Sequence, residues 1–205
     1  MIILWVVAMM IGAIALAPIP TAHASGETND VAYVNAAGED MGTQLCKRVH
    51  SGEATWSEGW YALGSTYIFK DPIQVEGTAN LILRDSPNGT FSLIAEKGII
   101  LKPNSHLIIW AQKEGTGRVQ AYGQENYAGI SIHEDASLTI NGGNIIVSGG
   151  KCAPGLGSCG SKSGVITING GRVDATGGHK LEGRYITYRS ARDGVESSTG
   201  PRCAC

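Results

Sequence analysis

The conspicuous acidic cluster of the chain is His133-Glu134-Asp135, held between the apolar Ile132 and Leu138. Glycoside hydrolysis needs two carboxylates about 5–10 Å apart across a cleft. The matching stretch one repeat earlier is Lys102-Pro103-Asn104, so the cluster reads as a solvated turn. Asp174 points outward by strand alternation, with no second carboxylate evident on its face. A lyase would want a Lys or Arg base beside acidic calcium ligands. Arg118 and Arg172 occupy equivalent repeat positions, where they would serve as readily to bind an acidic sugar. There is no Gly-x-Ser-x-Gly elbow, phosphate loop, His-Glu-x-x-His or Gly-Gly-x-Gly-x-Asp calcium repeat. No catalytic residue, metal or cofactor is assigned, and the chain reads as a non-enzyme.

Two other residue sets bear on function. Trp110, Tyr122 and Tyr127 fall near the corners of repeat units, Trp110 at a turn because it replaces Asn141 of the next unit. Sugar rings stack their C–H faces on such aromatics, and the guanidinium N–H groups of Arg118 and Arg172 could donate to sugar hydroxyls or carboxylates. The five cysteines are Cys46, Cys152, Cys159, Cys203 and Cys205. Cys152 and Cys159 share one Gly-rich connection and could form a disulfide in an oxidising compartment. A zinc site needs four ligands at finger-like spacing, and His179 is the only His near these cysteines.

These residues sit on a repeat. Leu138 to Gly150 aligns with Ile166 to Gly178 at an offset of 28 without a gap, and seven of thirteen pairs are identical. An earlier unit, Gly98 to Leu101 with Leu107 to Ile109, matches Gly129 to Ile132 with Leu138 to Ile140 at an offset of 31. Periods of this length mark stacked units. Within each unit the period is two: Leu138-Thr139-Ile140, Ile166-Thr167-Ile168 and Val173-Asp174-Ala175 alternate apolar with polar and can bury one face. Asn-Gly-Gly corners separate the strands and tolerate positive φ. Glycine, 29 of 205 residues, is about twice ordinary usage, which disfavours helix. The fold expected is all-β, a short right-handed parallel β-helix or solenoid with an N-terminal cap and an irregular C-terminal tail. Ile140 would lie under Ile168 and Asn141 under Asn169. The Trp56 and Trp60 pair is expected to cover the first open end.

The repeat residues resemble the Gly-rich repeat regions of secreted or surface-attached proteins of gut-type bacteria, often described as carbohydrate-binding-domain-containing. The likeness rests on Asn80 to Asp85, Gly98 to Leu101, Leu107 to Trp110, Ala153 to Gly157, and Thr167 to Gly178, with Gly59-Trp60-Tyr61 ahead of them. It spans about residues 31–178. It implies a β-helix-like architecture and, by association, carbohydrate binding. Members usually carry more repeat units, whereas here the pattern stops after Gly178.

Residues 1–24 read as a secretory signal: the apolar run Ile2 to Leu16, two prolines, then Ala22-His23-Ala24. The run lacks a preceding Lys or Arg, and it is short of the ~20 residues that span a bilayer comfortably. The organisation expected after it is an N-terminal extension (25–55), capping strands and a first coil (56–97), Gly-rich repeats (98–178) and a polar tail (179–205). A net charge of -2 argues against nucleic acid. The reading is a secreted or surface-displayed module that binds glycan or cell-wall polysaccharide, touching membrane only through an uncleaved signal segment. A structural stalk or adhesin spacer and a β-helix polysaccharide lyase or hydrolase are the alternatives.

Beyond Ser190 the composition is Ser, Gly, Arg and Pro, too polar to offset the entropy of ordering. Deleting residues 191–205 is therefore expected to leave the thermal midpoint unchanged. A collapsed midpoint would make the tail a structural cap.

Overall fold

The computed structural model describes residues 28–86, 88, 91–159, 163–178 and 187–189. The apolar run, the Ala22-His23-Ala24 site, and most of the tail lie outside them. The described residues are all-β, with no helix among them. Strands β1 (Thr28–Val34) and β2 (Asp40–Arg48) pair antiparallel. Between them the Asn35 side chain accepts hydrogen bonds from the backbone N–H groups of Ala37 and Glu39, and the N–H of Gly38 bonds to the carbonyl of Asn35. Then follow β3 (Thr55–Trp56), β4 (Gly59–Leu63), β5 (Tyr67–Phe69) and β6 (Ile73–Val75). The middle of the chain holds β7 (Thr78–Leu83), β8 (Ser92–Ala95), β9 (Ile99–Leu101), β10 (His106–Ala111), β11 (Arg118–Tyr122) and β12 (Ile130–Ile132). Last come β13 (Ser137–Ile140), β14 (Asn144–Ser148), β15 (Leu156–Gly157), β16 (Val165–Ile168), β17 (Arg172–Thr176) and β18 (Thr187–Arg189).

Three sheets share these strands. Sheet A runs β1-β2-β4-β7-β10-β13-β16, sheet C runs β5-β8-β11-β14-β17-β18, and sheet B runs β3-β6-β9-β12-β15. From β4 to β17 the chain visits A, C and B in turn, and successive visits to one sheet pair parallel. The alternation explains why. Val119 and Ala121 of β11 are fully buried, as are Ile145 and Val147 of β14 and Leu107 and Ile109 of β10. They meet in one core enclosed by the three sheets. The repeat register is kept: Ile140 pairs with Ile168, and the amide nitrogen of Asn169 donates to Asn141 Oδ1 at 2.8 Å. Trp56, Tyr61 and Phe69, all buried, fill the end of this core where β3 and β5 are edge strands.

The expected capped right-handed parallel β-helix is overturned by a closed barrel. Val34 of β1 pairs antiparallel with Ala111 of β10. Strands β1, β2, β4, β7 and β10 thereby close into a five-strand barrel on the outside of the main core. The physical reason is that the outer faces of β4, β7 and β10 carry the apolar Trp60, Ala62, Ile82 and Trp110, with Asn80 bonded to the Trp110 indole. Covered by the hairpin, they form a second core with Val31 and Cys46. The segment that showed no repeat is therefore a barrel wall. At the other end β18 returns antiparallel onto β17, with Ala175 opposite Tyr188, so the alternating stretch Tyr185-Ile186-Thr187-Tyr188 of the otherwise polar tail overlaps a strand added to the edge of the last pass.

The corners set how closely successive passes approach. Gly143 and Gly171 occupy the same position of the Asn-Gly-Gly corner, at φ of 86° and 82°, a region costly for side chains with a Cβ. Gly150 shows the other constraint, since a Cβ there would overlap the carbonyl oxygen of Gln124 one pass away. Gly150→Ala is expected to cost about 2 kcal/mol or more by overpacking backbone on backbone, lowering the midpoint by roughly 4–8 °C in a domain of this size. A melting curve unchanged from wild type would show that the corner is not this tightly packed.

Candidate functional site

The residues singled out from the sequence fall in two places. Trp110 lies in β10, paired with Ile82, not at a turn as expected, because pairing with β7 and β1 extends this strand to Ala111. It is half-buried in the barrel. Its indole stacks on that of Trp60 at 6.1 Å and meets Tyr33 edge-on at 5.1 Å. Its Nε1–H donates to Asn80 Oδ1 at 3.1 Å. Trp110 is thus committed to holding the hairpin. Of the Trp pair, Trp56 seals the main core and Trp60 serves the barrel. Tyr33 and Asn80 were not anticipated as partners of Trp110; the 30-residue spacing from Trp110 is a signal for Asn80, and nothing in the repeat points to Tyr33.

The other residues converge on the outward face of sheet C. Register places Ser92, Arg118, Asn144 and Arg172 in one row across β8, β11, β14 and β17. A parallel row holds Ile68, Ile94, Gln120, Ile146 and Asp174. In a third row Tyr122 sits beside Ser148 and Thr176. Arg118, Gln120 and Tyr122 therefore project from one strand on one side, since Val119 and Ala121 are buried inside. Tyr122 is 40% exposed. The Arg172 side chain is 75% exposed, and its guanidinium lies 3.9 Å from Asp174. Arg118 Nε and Asn144 Oδ1 are buried polar atoms with no hydrogen-bond partner among the described residues. The aliphatic part of this face, Ile68, Ile94 and Ile146, was not wholly seen in sequence because β5 and β8 lie outside the repeat alignment.

Tyr127 stands at the corner that follows β11 and is 56% exposed. Its backbone is tied down: its N–H donates to the Gln124 carbonyl, and its own carbonyl accepts from the Gly150 N–H. The corner carrying Cys152 stacks upon this one. The Asn126 N–H reaches the Lys151 carbonyl at 2.9 Å, and Lys151 pairs with Glu125 at 3.4 Å. Asn126 and Cys152 both take positive φ, 65° and 61°. Cys159 Sγ approaches the Cys152 carbonyl oxygen at 3.4 Å, so the two cysteines lie at one corner. His133, Glu134 and Asp135 form an exposed turn, in which the Ala136 N–H donates to the His133 carbonyl and Asp135 takes a φ of 65°. The Lys102 turn repeats it, with the Ser105 N–H on the Lys102 carbonyl and Asn104 at 59°. Among the described residues no group of three His, Cys, Asp or Glu is placed to hold a metal.

Searches of family models, curated proteins and solved structures find no match to the chain.

Cys46 is the group whose titration the fold alters. Burial in the barrel pushes its thiol from 9.0 up to about 11, nearby Asp30 adds to the rise, and Arg84 opposes it. The folded state holds this proton more tightly than the unfolded chain. The resulting stability is fully present below pH 9 and is lost as pH rises through about 11. Denaturant unfolding between pH 9 and 11 should therefore fall more steeply for wild type than for Cys46→Ala. Parallel curves would mean that Cys46 is not shielded from water.

Proposed function

We propose that the protein is a secreted or surface-displayed, non-enzymatic module that binds carbohydrate through the outward face of sheet C and its adjoining corner. The observation carrying this reading is the convergence of exposed Tyr122 with Arg118, Gln120 and Arg172 on one flat face, with Tyr127 at the next corner. An extended sheet face presents side chains at ~4.8 Å between strands, which suits a long polymer lying across the strands. Tyrosine rings offer apolar faces to sugar C–H groups at low entropic cost, because only two side-chain torsions need fixing. Trp110 belongs to the barrel and has no part in this surface. The likeness to carbohydrate-binding-domain-containing repeat proteins and the signal-like N-terminus support the same reading.

The test is a glycan array probed with residues 25–205, followed by calorimetry on the polymer retained. Tyr122→Ala and Tyr127→Ala should each weaken binding about tenfold, equivalent to 1.4 kcal/mol, while melting curves stay as wild type. Absence of retention across the array would end the carbohydrate reading.

A further inference from the structure

The row Ser92, Arg118, Asn144 and Arg172 defines the ligand more narrowly. Arg118 and Arg172 are separated by one strand, because Arg118 pairs with Asn144 and Asn144 with Arg172. At ~4.8 Å per strand, their attachment points are about 9.6 Å apart. Asn144, between them, has a buried Oδ1 with no partner among the described residues, and Arg118 Nε is in the same condition. A buried donor or acceptor without a partner costs about 1–3 kcal/mol, so a ligand that supplies partners here recovers free energy already spent. Two carboxylates lie close in the fold. Asp174 is 3.9 Å from Arg172, and Asp85 accepts from the backbone N–H groups of Glu114 and Thr116, just ahead of Arg118.

Resting on the carbohydrate reading above, the geometry points to a polysaccharide bearing uronic acids, lying across β11, β14 and β17 with carboxylates on Arg118 and Arg172. In an extended polyuronate with near-twofold symmetry, carboxylates on alternate residues face the same side. Their advance is close to the spacing of these two arginines. Guanidinium groups are matched to this because their planar fork takes a carboxylate in a bidentate pair that an ammonium cannot reproduce. Asn144 would bond the sugar between the two charges, and Tyr122 would stack under a ring at the side.

The experiment compares polygalacturonate with the same polymer after its carboxyl groups have been reduced to alcohols, using calorimetry on the full chain. Wild type should bind the acidic polymer at least tenfold more tightly, and raising salt should erode that preference. Arg172→Gln, at an exposed position where folding is not in question, should remove most of the preference, whereas Arg172→Lys should restore only part. Arg118→Gln should do the same, with its melting curve recorded alongside. Asp174→Asn, which removes the rival carboxylate, should tighten binding to the acidic polymer. Equal binding of both polymers, with loss of both in Tyr122→Ala, would overturn the uronate inference and leave the general carbohydrate reading standing. Failure to bind either polymer would overturn the inference, and the glycan array would then decide the broader reading independently.

Discussion

From β3 to β16, no strand around the main core pairs with its neighbour in sequence. Each must find a partner one pass of the chain away, and the register of that pairing decides everything above it. The side-chain bonds that cross between passes record the distance: 26 residues from Lys70 to Glu96, 28 from Asn141 to Asn169, and 31 from His106 to Ser137. Because side chains alternate along a strand, a slip of one residue would turn every inward Leu, Ile and Val outward. The corners prevent it. Glycines at Gly143, Gly171 and Gly150 let backbones meet where a Cβ would collide or strain. Polar clasps fix the loops as well: Asp85 accepts from the backbone N–H groups of Glu114 and Thr116, about thirty residues on.

The same pairing leaves sheet A with two usable faces. Its inner face serves the main core, and its outer face at β4, β7 and β10 is apolar enough to need cover. The β1–β2 hairpin supplies it, and closing the ring through Val34 and Ala111 gives the structure its second core. The Trp60, Trp110 and Tyr33 cluster sits where that hairpin meets the sheet. Aromatic pairs of this kind contribute about 0.5–1.5 kcal/mol beyond their burial. Gln112 adds a polar tie, its side-chain amide donating to the Ala32 carbonyl at 2.8 Å.

The parallel pairing of the repeat was legible because it is written twice. Asn141 and Asn169, Ile140 and Ile168, and Asp174 beside Ile146 and Gln120 all stand where the offsets placed them. The barrel was not legible. Residues 28–48 have no counterpart elsewhere in the chain, so an alignment of repeats is blind to them, and their partners lie far away in sequence. The position of Trp110 was misjudged for the same reason: its alignment with Asn141 put it at a turn, and nothing local says that a hairpin extends β10 and covers its outer face. Arg118, Arg172 and Tyr122 fared better, because equivalent positions in successive strands become neighbours on one surface. Tyr127 and the Cys152–Cys159 corner lay in connections, where sequence places a residue near a corner but does not give its neighbours.

Consider what each outer face has left over. That of sheet A is taken up by the hairpin across β4, β7 and β10. That of sheet B is narrow: its strands are two or three residues long, and the row Gln74, Ile100, Ser131 and Gly157 shrinks to a hydroxyl and a bare backbone. Sheet C differs on both counts. Strands β11, β14 and β17 are each five residues long and present three outward positions apiece, among them Arg118, Gln120, Tyr122, Asn144 and Arg172. Inward, the same strands carry Val119, Ala121, Ile145, Val147, Val173 and Ala175, all buried. The rigidity required to hold a core of alternating small and branched residues is thus also the rigidity that fixes the outward rows. Under the proposed carbohydrate binding, a surface so held would meet a polymer with little ordering of its own. Its selectivity would then follow the outward groups that lack an internal partner, which in this sheet are Arg118 Nε and Asn144 Oδ1, side by side in one row.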